Sequence, residues 1–272
     1  MTFDDKFVAF VDILGFEDLV ERAEKGGPGA PTVGFIFELL KSFGSSNEEN
    51  YAKFGPTVCP KTDFISKDLN FHVTQISDCA VISAEVSPAE VINLIDHCYK
   101  VSVRLLKVGH QCRGYLTRGP IIHTDSQFIG SGYVRAYKNE KKVSIFQKDE
   151  SDRGTPFIGI DPEVCSYISK ECDETVKKVF GRLTETDGKS TAVTPFFALR
   201  AMPDMPLDDP EYKEQVGRTI QIIQMLLTQL ERAKANAEDD HARAKIEHYE
   251  KKLRDVIAMK ESQIKMVDDL QQ

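Results

Sequence analysis

The chain has 272 residues, 41% of them hydrophobic and 29% charged, and a formal net charge of −8. This composition can bury a core and disfavours nucleic-acid binding through a basic surface. No apolar run approaches the roughly 20 residues needed to span a bilayer, and Met1-Thr-Phe-Asp-Asp-Lys6 lacks the basic and apolar regions of a secretory signal, so a cytoplasmic protein with no membrane or nucleic-acid partner is expected. The six cysteines form no C-x-x-C pair and the six histidines no H-E-x-x-H, which argues against a zinc site and against a disulfide framework.

Phe7 to Val11 is a compact apolar run of buried-strand type. It passes through Asp12 and Gly15 into a predicted helix, Glu17 to Lys25, broken by Gly26-Gly27-Pro28-Gly29, with a second apolar helix near Pro31 to Phe43. Residues 44–69 are polar and read as a long loop, in which Tyr51 and Phe54 could stack on a base or fill a core. Phe71 to Ile76 and Cys79 to Ala84, separated by Ser77-Asp78, predict a hairpin. Ser87-Pro88-Ala89-Glu90 carries the N-cap, N1 and N3 signals of a helix that keeps its apolar period to about Val108, and Gly109 closes it. A strand from Cys112 to Thr117 follows. The order βαββαβ predicts an α+β fold with a ferredoxin-like antiparallel sheet and helices on one face. Beyond it, Tyr133 to Lys141 reads as a helix, Pro156 to Ile160 and Val193 to Leu199 as strands, and Asp161-Pro162-Glu163 as a helix start. After Asp209-Pro210, spaced aliphatics among charges predict long helices, either an ordinary two-helix element with its turn near Ala237 to Asp240 or a coiled-coil arm. A single helix there would be about 90 Å long. The expected division is a domain over 1–205 and a helical extension over 206–272.

Asp12 ends the first strand and Asp78 sits in the hairpin turn, so a βαββαβ sheet sets these carboxylates side by side at one end. Close carboxylates repel unless cations are present, which makes them a natural site for Mg²⁺ or Mn²⁺. Each has a plainer role open to it, Asp12 as a helix cap and Asp78 as a turn residue. The run through Gly15 and Phe16 offers backbone N–H groups at a helix N-terminus, an anion site. Arg113, early in the next strand, is a candidate for terminal phosphates; a surface ion pair is the alternative. Arg118, nearer the strand end, is less informative.

Together these elements resemble the class III nucleotidyl cyclases. Phe10-Val-Asp12-Ile-Leu-Gly15-Phe16 matches the family's first metal motif, Phe-x-Asp-Ile-x-Gly-Phe, and Ser77-Asp78-Cys79 matches its second metal aspartate. Arg113-Gly-Tyr-Leu-Thr-Arg-Gly119 matches its phosphate-binding arginine strand. The resemblance covers approximately residues 7–140. It implies two divalent cations, Mn²⁺ or Mg²⁺, held by Asp12, Asp78 and the Ile13 carbonyl. It also implies a nucleoside triphosphate substrate and a homodimer with sites shared across the interface.

Thr74 stands where the family has a purine-reading Lys or Glu, four residues before the hairpin Asp, which points to a smaller base, uracil ahead of cytosine. The family's ribose-binding Asn and transition-state Arg correspond to the stretch holding Arg135, Lys138 and Asn139, out of the usual register; Arg135 is the leading candidate and Lys138 the next. Gly-Ser-Gly-Tyr-Val-Arg135-Ala-Tyr looks most like the bacterial Pycsar antiphage pyrimidine cyclases, whose cyclic UMP or cyclic CMP activates a toxic effector. The competing expectations are an adenylate or guanylate cyclase with an unusual base pocket and a non-catalytic binding module. A diguanylate cyclase is disfavoured because its Gly-Gly-Asp/Glu-Glu-Phe hairpin is absent.

Overall fold

The computed structural model describes residues 2–44, 71–150, 152–237 and 239–270; the loop with Tyr51 and Phe54 lies outside them. The chain divides into two compact units, Met1–Leu105 with Gln111–Thr194, and Leu106–His110 with Pro195–Gln272.

The first unit opens with β1 (Asp4–Ile13), α1 (Phe16–Lys25), α2 (Val33–Leu40) and a 3-10 turn, Lys41–Phe43. The strands β2 (His72–Ile76) and β3 (Cys79–Glu85), helix α3 (Pro88–Lys107) and strand β4 (Cys112–His123) follow. β2 pairs with β3, β3 with β1 and β1 with β4, all antiparallel, which is the βαββαβ sheet read from the sequence. The sheet then continues past β4 through β6 (Ile158–Ile160), β8 (Thr191–Val193) and β7 (Thr184–Thr186), with the two-residue β5 (Phe128–Ile129) on β4. β6 runs parallel to β4.

β1 reads as one apolar run because both of its faces are covered. Phe7, Ala9, Val11 and Ile13 enter the main core with α1, α2, α3 and two later helices, α5 (Pro162–Glu171) and α6 (Glu174–Leu183). Val8 and Phe10 point the other way, into a smaller cluster with Ile121 and Ala136. That second face carries α4 (Ser131–Glu140), where Phe10 meets Tyr137 edge-on at 5.3 Å. The helices therefore cover both faces, not one as expected.

Two glycines allow this close packing. A Cβ on Gly132 would lie 2.9 Å from the Gly119 carbonyl oxygen and 3.1 Å from Val8 Cγ2, so α4 touches the backbone of β4 directly. Gly132→Ala is expected to destabilise by about 1–3 kcal/mol through overpacking, despite alanine's better helix propensity. A lower urea midpoint with unchanged slope would show it.

The run Val193 to Leu199 is not a strand throughout. β8 ends at Val193, Pro195 has no N–H for a ladder, and the chain turns into the short helix α7 (Phe197–Arg200). Asp161 does cap α5, accepting from the Glu163 amide at 3.0 Å with Pro162 at the first position.

The second unit is dominated by α8 (Tyr212–Asn236) and α9 (Asp240–Leu270). Ile223, Leu226 and Leu230 of α8, and Ile246, Tyr249 and Leu253 of α9, are buried. Each set follows helical spacing, so one stripe per helix is covered. α8 ends at Asn236 and α9 begins at Asp240, at the place where a turn near Ala237 to Asp240 was expected. Buried Lys260 donates to the Ala201 carbonyl at 2.6 Å, closing the end of α7. Among the described residues no helix is long and apolar enough to cross a membrane.

Candidate functional site

The candidate site lies where β1, β3 and β4 end together. Asp12 is directly opposite Cys79 on one side and Arg113 on the other. Asp78 precedes Cys79 in the tight hairpin turn, which Ser77 makes with a left-handed φ of 53°. The Ile13 amide donates to the Asp78 carbonyl at 3.0 Å, tying the turn to the end of β1. Asp12 and Asp78 thus share one end of the sheet. Both are half-buried, and neither carboxylate has a hydrogen-bond or ion-pair partner among the described residues.

Asp12 shows what this placement costs. Burial, then the negative charge of Asp78, then that of Glu140, raise its pKa from 3.8 to about 7, against opposing pulls from Arg113 and Lys141. A carboxylate so placed ionises readily only when positive charge arrives. Among the described residues no group of three His, Cys, Asp or Glu side chains is gathered for a metal ion. The side chains on offer are two carboxylates, oxygen donors that suit a hard cation taking its other ligands from phosphate and water.

Arg113 is not a surface residue. Its side chain is 11% exposed and its Nε donates to the carboxylate of Glu140, which is 1% exposed. Nη1 donates to the Gly154 carbonyl at 3.3 Å. Gly15 is the N-cap of α1, with φ 73° and no side-chain cap. The Ile13 and Leu14 amides are already bonded to the Asp78 and Gln111 carbonyls, so any anion at this turn would meet the amides from Gly15 onward. Phe16 itself is half-buried against the main core.

Thr74 lies further along β2, opposite Val81, and is buried. Its hydroxyl is 2.9 Å from His123 Nε2, and His123 Nδ1 is 2.8 Å from Ser83 Oγ. Burial, then His72 and then Lys6 lower the His123 pKa to about 4, so the ring is neutral near pH 7. One ring nitrogen then donates while the other accepts. The ring links two hydroxyls on neighbouring strands.

The α4 candidates are outside this group. Arg135 is exposed, donating to the Arg118 carbonyl at 3.1 Å and to Glu163 at 3.3 Å. Lys138 is exposed, and Asn139 accepts from Lys142 at 3.4 Å. Within one chain these three make none of their hydrogen bonds to Asp12 or Asp78. Arg118 pairs with Asp5 at 2.7 Å and lies over the Tyr167 ring.

Glu140, Gly154 and His123 are the residues that motif reading passed over. Glu140 ends a helix more than twenty positions from Arg113, and no local pattern marks it as a partner. An acidic residue at a helix C-terminus runs against the macrodipole, which is the one hint available in the sequence.

No protein-family model matches the chain, and no curated protein matches it. Among solved structures, one similar chain is the catalytic core of a rhodopsin-guanylyl cyclase with converted specificity in complex with ATPalphaS. It is 12% identical, with a TM-score of 0.35, covering 71% of this chain and 97% of that one. Another is a bacterial light-regulated adenylyl cyclase, 13% identical with a TM-score of 0.33, covering 84% of this chain and 58% of that one. With TM-scores below 0.5 these likenesses establish neither family nor activity.

Proposed function

We propose that this chain is a nucleotidyl cyclase of the class III type, converting a nucleoside triphosphate to its 3′,5′-cyclic monophosphate and pyrophosphate. The observation that carries this reading is the unpartnered pair Asp12 and Asp78 at one end of β1 and the hairpin, next to Arg113 in register. Leaving two half-buried carboxylates without a paired cation is unfavourable unless a ligand supplies one. Asp12, Asp78 and the Ile13 carbonyl would hold Mg²⁺ or Mn²⁺, two ions as the family resemblance implies. Bound there, the ions would supply Lewis-acid charge that acidifies the sugar 3′-hydroxyl and neutralises the triphosphate.

The chain's own residues perform the rest. Arg113 offers guanidinium N–H groups to phosphate oxygens, and the first turn of α1, at Gly15 and Phe16, offers backbone amides. The bond from O3′ to the α-phosphorus forms as the bond to the pyrophosphate oxygen breaks. The hydroxyl proton passes to solvent. Arg135 of a second subunit, with Lys138, would stabilise the charge that develops, and Asn139 would meet the ribose. The exposure of Arg135 and Lys138 within one chain suits a site completed by a homodimer.

The proposal extends to a pyrimidine substrate, UTP ahead of CTP, because Thr74 is neutral and already held by His123 rather than carrying a charged base reader. The Pycsar resemblance adds a cytoplasmic antiphage role in which the cyclic nucleotide activates an effector. Mass spectrometry of products from all four nucleoside triphosphates with Mn²⁺ tests this reading. Cyclic UMP, with less cyclic CMP, is expected. Cyclic AMP or cyclic GMP alone would overturn the pyrimidine assignment and keep the cyclase. Nucleotide binding with no cyclic product would leave a binding module.

A further inference from the structure

Arg113 and Asp12 face one another across an antiparallel strand pair, where opposite charges ordinarily meet. Here they form no ion pair. The guanidinium turns instead to Glu140 at the end of α4, through Nε, and to the Gly154 carbonyl, through Nη1. Two features hold it there. Glu140 is almost fully buried and takes Arg113 as its cation. Gly154 is buried with φ 68°, and a Cβ there would stand 2.5 Å from Arg113 Nη1 and 3.3 Å from the Lys141 carbonyl oxygen. Only a residue without a side chain leaves room for the guanidinium between that backbone and the end of α4.

We infer that Glu140 and Gly154 are positioning residues that draw Arg113 away from Asp12, so that Asp12 and Asp78 stay available to a divalent cation while Arg113 keeps donors for an anion. Nη2 and the second Nη1 hydrogen have no acceptor among the described residues. Without Glu140, Asp12, directly across the ladder and within electrostatic reach, is an anion open to Arg113. The resulting pair would neutralise the carboxylate on which cation binding depends. One buried acid thereby keeps an arginine and an aspartate apart, although their register invites them to pair. This inference rests on the cation site proposed above.

The test is Mn²⁺ affinity, measured by electron paramagnetic resonance with Mn²⁺ alone on the full chain. Glu140→Gln and Gly154→Ala are each expected to weaken Mn²⁺ binding about tenfold, an effect equal to one charge-assisted hydrogen bond. Because Glu140→Gln also removes a nearby negative charge, Arg113→Gln/Glu140→Gln is compared with Arg113→Gln. If Glu140 acts through Arg113, these two bind Mn²⁺ within about twofold of each other. An equal loss with and without Arg113 would overturn the inference, as would unchanged affinity in both Glu140→Gln and Gly154→Ala. Gly154→Ala makes the same test with no change of charge, and circular dichroism confirms that each variant is folded. A wild-type chain that binds no Mn²⁺ would instead overturn the cation site itself.

Discussion

Asp12→Asn is expected to reduce cyclic-nucleotide formation by about 10³-fold or more, with the fold intact. The size follows from what a bound divalent ion contributes to phosphoryl chemistry, several kcal/mol of transition-state stabilisation. Asparagine keeps the shape and removes the charge. Because Asp12 is half-buried, is unpaired and raises its own ionisation cost beside Asp78, removing its charge should also relieve repulsion. The variant is therefore expected to unfold at a temperature no lower than the wild type. Loss of turnover with retained stability separates a catalytic carboxylate from a structural one. A helix cap behaves oppositely, since its loss costs stability. The Asp12 side chain makes no cap bond to α1, so a fall in stability with turnover unchanged would remove it from the site.

Glu90→Gln is expected to stabilise the protein at pH 8 and to leave it unchanged at pH 4. Glu90 is 2% exposed. Burial, offset in part by the Asn93 hydrogen bond and reinforced by Glu85, raises its pKa from 4.5 to about 7. Its Oε2 has no hydrogen-bond partner among the described residues. The sign follows from linkage. Between pH 4.5 and 7 the unfolded chain loses this proton while the folded chain keeps it, so stability is lost as pH rises through that window. Above it the cost saturates at about 3 kcal/mol, and a neutral amide of the same shape avoids it. Urea titrations of both proteins at pH 4, 6 and 8 would show a gap that opens with pH. A gap of constant size would mean that folding leaves the Glu90 pKa where it is in the unfolded chain. Ser87 accepts from the Glu90 amide at 3.2 Å, so the helix start read from Ser87-Pro88-Ala89-Glu90 survives the substitution.

Much of the first unit was legible because its signals are local. The β2–β3 hairpin, the capped start of α3 and the strand-to-helix passage at Gly15 each occupy a few residues, and the βαββαβ order follows once they are placed. Asp12 and Asp78 could be set at one end of the sheet because the βαββαβ order makes β1 the neighbour of β3.

What escaped was set by packing across distance. The run Val193 to Leu199 looks like a strand, yet Phe196 is buried against Tyr249 within the second unit at a ring separation of 5.1 Å, and Pro195 ends the ladder. α4 on the second face depends on the Gly119–Gly132 contact, which pairs residues of two different elements. Arg113 was readable as a phosphate ligand, but its hold on Glu140 and Gly154 appears only when α4 and the chain beyond it return to β4. Burial of a carboxylate partner is a tertiary fact, and no sequence spacing announces it. The same holds for the His123 bridge between Thr74 and Ser83, whose members come from three strands.

The most direct measurement is a crystal structure of the protein soaked in Mn²⁺, with diffraction collected at the manganese absorption edge. An anomalous peak within coordinating distance of both Asp12 and Asp78 side-chain oxygens is expected. Manganese bound elsewhere, or ligated by one of the two aspartates with the other turned away, would contradict the account.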